Sequence, residues 1–455
     1  MSVRITAPRV VVGGLSGDAG KTQATLGLVR ALSRRGHAVA PYKKGPDYID
    51  TAWLGMAAGR PGRNLDTFLM PDARIGGALL RAGKDAVIVV EGNRGLFDGV
   101  DEQGTHSTAE LAKRIGAPLI LVVDVRKATR TVAAVVAGCQ MFDRDLRIAG
   151  VVLNRVATAR QEKLVRHAIE QAAAIPVVGA IPVLPGESLP ARHLGLLTAD
   201  EHPRSAEAIE RAAAAVEAHV DVDAVLAIAG TATPVEFRSV RRAPRGPAAK
   251  VAVVRDAAFS FYYPENLEAL EERGATLLGV SALDDQPLPA VDAVYVGGGF
   301  PEVHVSRLAR SRDFFESLRR AADRGTPVYA ECGGLMLLAR SLRVDGRPHL
   351  MAGVLDIDVE QTLRPQGHGY AVGRIDRPTS FFPEGAEIRG HEFHYSRVTG
   401  GGDSARTALA LAKGDGITRG RDGITKGKVF ASYVHVHAAS DDAWADGLMA
   451  AARGT

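Results

Sequence analysis

Val10-Val11-Val12-Gly13-Gly14-Leu15-Ser16-Gly17-Asp18-Ala19-Gly20-Lys21-Thr22 joins an apolar run to a glycine-rich turn and then to a helical stretch. The run reads as a buried strand. The stretch from Lys21 to about Arg35 reads as a helix with Gly36 as its C-cap. Strand, glycine turn and helix in this order make a phosphate cradle. Backbone N–H groups of the turn face oxyanions, Lys21 neutralises β/γ oxygens, and the Thr22 hydroxyl ligates Mg²⁺. Gly17, Asp18, Ala19, Gly20, Lys21 and Thr22 are therefore the expected ATP contacts. The strict spacing G-x-x-x-x-G-K-[ST] asks for glycine at position 15, where the chain has Leu15 flanked by Gly14 and Gly17. An ordinary βα turn is the plainer alternative; the strand–loop–helix context favours a nucleotide.

Outward from this loop, apolar strand candidates recur at 38–41, 86–90, 118–123 and 148–153, with helical stretches between them. Short buried strands alternating with helices predict an α/β fold with a parallel sheet. An alanine-rich helix is expected over 205–220. Residues 230–249 are loop-like and basic, with Arg238, Arg241, Arg242 and Arg245. This predicts an N-terminal domain over 1–229, a linker over 230–249 and a second domain over 250–455. In the second domain the alternation resumes: strand 250–254, helix 264–273, strand 293–296, helix 307–324 and strand 327–330.

The bulk composition fits this division. At about 100–200 residues per domain, 455 residues allow two or three. A net charge of +4 suits an anionic substrate, and no basic tract with interleaved aromatics points to nucleic acid. Two cysteines, Cys139 and Cys332, make no disulfide framework, which suits a reducing cytoplasm. The N-terminal residues run straight into a strand without the long apolar core of a signal peptide. No uncharged run approaches the roughly 18–20 residues of a membrane span.

A bound metal needs carboxylates. Glu91 ends the run 86–90, where an acid faces the crevice at the strands' carboxyl ends. Asp47 lies in Lys43-Lys44-Gly45-Pro46-Asp47-Tyr48-Ile49-Asp50. Thr22, Asp47 and Glu91 are the metal candidates. Lys43 adds a second positive charge near a transferring phosphoryl group. Asn154 is a candidate reader of adenine, with a turn-forming asparagine as the equal alternative.

A second piece of chemistry lies in Tyr329-Ala330-Glu331-Cys332-Gly333-Gly334. Cys332 falls between a strand and a helical stretch, and a helix N-terminus lowers a thiol pKa. Gly333 is expected to offer an N–H to an oxyanion, as are Gly298 and Gly299 of Gly297-Gly298-Gly299. The base is expected among distant histidines. His435 and His437, in Ser432-Tyr433-Val434-His435-Val436-His437, alternate so that both point the same way. A buried structural cysteine is the alternative for Cys332, and it is the expected role of Cys139. Gly390-His391-Glu392-Phe393-His394-Tyr395-Ser396 concentrates polar groups without the metal spacing H-E-x-x-H, which suggests a substrate-facing or interdomain loop.

Over nearly its full length the chain resembles the cobyrinic acid a,c-diamide synthase family of glutamine-dependent amidotransferases in corrinoid biosynthesis. The resemblance rests on residues 16–22, 43–50, 64–66, 91–92, 95–99, 297–302, 331–334, 390–396 and 433–437. It implies an N-terminal P-loop domain like dethiobiotin synthetase and a C-terminal class I-like glutaminase. It implies that Cys332 attacks glutamine with His435 as base. It also implies a carbon–nitrogen ligase that uses ATP and Mg²⁺ to phosphorylate the a and c acetate carboxylates of cobyrinic acid, or its hydrogeno form. Ammonia then displaces phosphate. Many class I glutaminases carry a glutamate two residues after the base. Here that position is His437, so a Cys–His dyad is expected. Two alternatives are weighed: the same reaction on sirohaem or nickel-sirohydrochlorin, and a ParA/MinD-like switch ATPase with an inert C-terminal domain. The oligomeric state stays open, a homodimer included.

Overall fold

The computed structural model describes residues 2–184, 191–192, 195–196, 204–239, 246–401 and 406–454. The chain divides into two compact units, Met1–Val240 and Arg241–Thr455.

In unit 1, β1 (Arg9–Gly14) leads through the glycine turn into α1 (Lys21–Arg34). There follow β2 (Val39–Lys44), α2 (Ile49–Ala58), β3 (Arg63–Leu65), β4 (Val87–Glu91), β5 (Leu119–Asp124), β6 (Ile148–Val156) and β7 (Val177–Pro182). Among the described residues these strands form one parallel sheet in the order β3-β2-β4-β1-β5-β6-β7. Helices cover both faces of such a sheet, so its central strands are apolar throughout; Val10, Val11 and Val12 are buried. Consecutive β1 and β2 are not neighbours, because β4 lies between them. The loops at the carboxyl ends of β1, β2 and β4 therefore open onto one crevice, where open α/β sheets bind ligands. The alanine-rich helix spans Ser205–His219 and packs on α1. Gly27 permits the approach, since a Cβ there would collide with the Ala212 carbonyl. Within the expected linker, Val235–Arg238 form a strand antiparallel to Ser2–Ile5. Periodicity missed it because a four-residue edge pair carries little pattern. Residues 240–245, the centre of that linker, lie outside the described residues.

Unit 2 contains β8 (Ala249–Val254), α3 (Pro264–Glu272), β9 (Ala275–Val280), β10 (Ala293–Val296), β11 (Val328–Glu331) and α4 (Gly333–Leu338). β12 (Gly367–Ile375), β13 (Glu387–His394), β14 (Thr407–Lys413), β15 (Arg421–Lys426), β16 (Val429–Ser432), β17 (His435–Val436) and α5 (Ala443–Arg453) follow. The sheet runs β9-β8-β10-β11-β16-β15-β14-β12-β13-β17. Its first half is parallel. Its second half is antiparallel. β16 and β17 are close in sequence yet separated in strand order. The antiparallel half must therefore curl back, and Val436 N donates to Glu331 Oε1 at 3.0 Å. The expected helix over 307–324 is two pieces, Val305–Leu308 and Arg312–Asp323. The longer piece turns Phe314, Phe315, Leu318 and Ala321 into the core.

Candidate functional site

The phosphate loop of unit 1 is shaped by Gly20, in the left-handed region with φ 90°. Any side chain would be strained there, and a Cβ would strike the Asn154 amide. That amide Nδ2 donates to the Ala19 carbonyl at 2.9 Å. The Asn154 donor expected for adenine thus braces the back of the loop. Arg155 adds a second brace through the Asp18 carbonyl at 2.7 Å and pairs with Asp124 at 2.6 Å. Gly17 leaves open space where a Cβ would stand.

Lys21 Nζ donates to the carbonyls of Ser16 at 2.6 Å and Arg94 at 2.8 Å. Burial, helped by the charge of Lys43, pulls its pKa down to about 8. Thr22 Oγ1 donates to Glu91 Oε1 at 2.6 Å. The same oxygen accepts from Lys43 Nζ at 2.7 Å, and Lys43 also pairs with Asp50 Oδ2 at 2.6 Å. Glu91 Oε2 is buried without a hydrogen-bond partner.

Lys43 therefore faces three acids. Burial opposes its charge, but Asp50, Glu91 and Asp47 outweigh it and hold the ammonium well above the ordinary lysine range. One cation does not neutralise three clustered carboxylates, of which Glu91 is fully buried and Asp47 and Asp50 partly so. Glu91 is raised by burial, and Asp47 is pushed up to about 7 by burial and by Asp50. Asp47 itself accepts from Asp50 N, in the first turn of α2, at 2.9 Å. The surplus acid and the orphan oxygen of Glu91 suit a divalent cation beside the Thr22 hydroxyl.

In unit 2 the carboxyl ends of β10 and β11 are parallel neighbours. Gly298 and Gly299 therefore lie beside Cys332 and Gly333. A Cβ on Gly333 would stand 3.0 Å from Gly299 N, and one on Gly298 would strike the His435 ring. Cys332 holds φ 50° and ψ −100°, a conformation of the kind that persists only when its surroundings enforce it. Its N–H donates to the Ser432 carbonyl at 2.7 Å. Asp422 organises that approach, accepting from Ser432 Oγ at 2.9 Å and from the N–H groups of Tyr433 and Val434 at 3.1 Å. Burial pushes its pKa up to about 6.

The expectation that the helix N-terminus lowers the Cys332 pKa is corrected. Burial, then the charge of Glu302, pushes the thiol above its ordinary range. α4 has only six residues, too little dipole to offset desolvation. Burial, with His394 nearby, pulls His435 down to about 3, leaving a neutral imidazole.

His435 Nδ1 lies 3.9 Å from Glu331 Oε2. His391 stacks on the His435 ring with centroids 4.9 Å apart, and Tyr263 reaches His391 Nδ1 at 3.3 Å. His437 packs on Tyr263 at 4.3 Å, and its Nε2 faces Glu265 at 3.8 Å. The fold thus gathers Cys332, Gly298, Gly299, Gly333 and His435, with His437 in the adjoining aromatic group. Cys139 is buried in the helix Arg130–Phe142.

Comparison with known proteins agrees with two joined chemistries. The CobQ/CobB/MinD/ParA nucleotide binding domain matches residues 10–196, and the CobB/CobQ-like glutamine amidotransferase domain matches 250–443. Cobyrinate a,c-diamide synthase of Magnetococcus marinus is 42% identical, covering 96% of both chains. The Archaeoglobus fulgidus enzyme of that name is 41% identical over 95% of each. That of Salmonella typhimurium is 37% identical over 97% of this chain and 98% of its own. This chain belongs to the cobyrinate a,c-diamide synthase family.

Against that family background, the residues the sequence left unassigned are Asp50, Arg155, Asp422 and the Tyr263–His391 pair. Asp422 carried little signal, being one acid in a largely polar strand, Arg421–Lys426, whose one large apolar side chain is Ile424. Arg155 had none, because its role depends on a positive φ of 58°. His394, from the motif at 390–396, lines a cavity of about 460 Å³ with Ser396, Arg397, Asp415 and Arg419.

Proposed function

We propose that this chain is an ATP- and glutamine-dependent ligase that converts the a and c acetate carboxylates of cobyrinate, or its hydrogeno form, to amides. The observation that carries this reading is the pairing, on one chain, of a nucleotide-binding domain and a glutaminase domain with near full-length likeness to cobyrinate a,c-diamide synthases. A switch ATPase needs no strained thiol beside a buried histidine.

The chemistry follows from the residues. In unit 1, Lys21 exchanges its two carbonyl partners for phosphate oxygens, and the loop 17–22 cradles the chain of phosphates. Glu91 and Thr22, with Asp47 behind them, would hold Mg²⁺, which neutralises phosphate charge when bound. No three His, Cys, Asp or Glu side chains among the described residues form a ready-made cluster. This suits a cation that completes its coordination with phosphates and water. Lys43 adds positive charge near the transferred phosphoryl group, and Asn154 keeps the loop in shape. A carboxylate is a poor acceptor for ammonia until phosphorylated, so an acyl-phosphate is the intermediate of this reading.

In unit 2, His435 takes the Cys332 proton as the sulfur attacks the glutamine amide. N–H groups near Gly298, Gly299 and Gly333 stabilise the oxyanion. His437 supports the histidine group from the far side of Tyr263. Ammonia leaves and is consumed at the activated carboxylate, and water then hydrolyses the glutamyl thioester, with His435 as base, to release glutamate and restore the thiol. No described helix is long and apolar enough to cross a membrane; a cytoplasmic homodimer completes the reading, and light scattering at a monomer mass would remove the dimer.

The deciding experiment supplies Mg·ATP and glutamine with cobyrinic acid, sirohaem or nickel-sirohydrochlorin, and reads products by mass spectrometry. Two acid-to-amide conversions on cobyrinic acid are expected. Conversion of a sirohydrochlorin-type ring alone would overturn the substrate and keep the mechanism.

A further inference from the structure

The position two residues after His435 holds a histidine, so the base lacks the acid that would orient it from its own strand. The fold supplies one from elsewhere. Glu331 is the last residue of β11 and the immediate neighbour of Cys332. Its side chain is fully buried, and Oε2 stands 3.9 Å from His435 Nδ1. Oε1 accepts from Val436 N at 3.0 Å, so the same carboxylate also grips the backbone beside the base. Tyr295 donates to Oε2 at 3.1 Å and Tyr329 to Oε1 at 3.3 Å. A buried carboxylate held by three donors has a set orientation, and it is aimed at the base.

We propose that Glu331 is the positioning residue for His435, presenting its carboxylate to Nδ1 so that Nε2 serves the Cys332 thiol. This rests on the glutaminase reading above. When the thiolate attacks the amide carbon, the sulfur's proton moves to His435. When the C–N bond breaks, that proton leaves with ammonia. Glu331 gives and takes none; from its fully buried position it compensates the charge of the imidazolium. The tie is long for a hydrogen bond, as such contacts commonly are before substrate binds. Burial holds Glu331 up to about 7, so the ionised carboxylate is present only above that pH in the free protein. The other titratable groups around the base are Cys332, His391, His394 and His437, with Tyr263 behind His391.

The test is Glu331→Gln in the full chain. It keeps the side chain's shape and an acceptor for Val436 N but removes the charge. Glutamine-dependent amidation should fall by about 100-fold. Amidation driven by free ammonium, which does not use this thiol, should stay. The acid limb of kcat/KM for glutamine near pH 7 should disappear. Glutamine use within twofold of the native chain, or an unchanged acid limb, would overturn the proposal. Should ammonium-driven turnover also be lost, Glu331→Asp decides. Glutamine use with the acid limb preserved supports the role, and glutamine use as low as in Cys332→Ala removes it. A native chain that hydrolyses no glutamine would instead sink the glutaminase reading itself.

Discussion

At the scale of single residues, burial decides most of the chemistry. Lys21 has a pKa near 8 before any nucleotide arrives. Phosphate oxygens favour the ammonium, so binding above that pH must recruit a proton. Affinity for Mg·ATP should fall as pH rises past 8, approaching tenfold per pH unit, or about 1.4 kcal/mol. Calorimetry in two buffers of different ionisation enthalpy checks this: proton uptake is expected at pH 8.5, and none would refute it. Cys332 makes the opposite case. Its thiol is neutral at rest and His435 is an unprotonated acceptor. The nucleophile is made at the moment of attack, so Cys332→Ala should abolish glutamine use yet leave amidation with ammonium. Loss of both activities in a folded protein would contradict ammonia transfer.

At the scale of elements, two turns shape the candidate sites. The phosphate loop depends on Gly20, whose φ of 90° and contact with Asn154 exclude a side chain. Gly20→Ala should weaken nucleotide binding by at least about tenfold, from strain of roughly 1–2 kcal/mol and displacement of Asn154. Native affinity in that variant would show that the loop reshapes freely. The segment between β16 and β17 depends on Asp422, which holds two consecutive N–H groups and the Ser432 hydroxyl. Asp422→Ala leaves these buried donors unmet and should cost about 3 kcal/mol of stability by denaturant unfolding. The pH sign also follows. A carboxyl raised to about 6 when folded keeps its proton over a range where the unfolded chain has lost it. Its contribution to stability therefore declines as pH climbs from about 4 to 6.

At the scale of the whole molecule, each unit has its own hydrophobic cores and matches its own domain family. Mg·ATP at 100 times its Kd should stabilise the chain through unit 1 by about 2.7 kcal/mol. A glutamine analogue that alkylates the thiol should stabilise through unit 2. Lys21→Ala should abolish the first thermal shift and keep the second, and Cys332→Ala should do the reverse. A single variant that erased both would contradict separate sites. Much of this organisation was legible in the chain. Apolar runs ending in glycine announced β1 and β10, and the phosphate loop and the cysteine turn were visible because their backbone geometry demands glycine locally. Glu91 was visible as an acid at a strand end. Less was legible where the cause is non-local. The curl that brings β17 back to β11 spans about a hundred residues, so no periodicity reveals that Glu331 meets His435. The direction of the Cys332 shift is not legible, because a six-residue helix is readable in sequence and the burial around it is not. The sequence by itself determined the two α/β units, their order and the residue types at each turn, because these depend on patterns only a few residues long. The tertiary structure alone decided which acids face Lys43, which carboxylate faces the base and which groups stay charged. Those outcomes depend on desolvation and on distances between residues far apart in the chain.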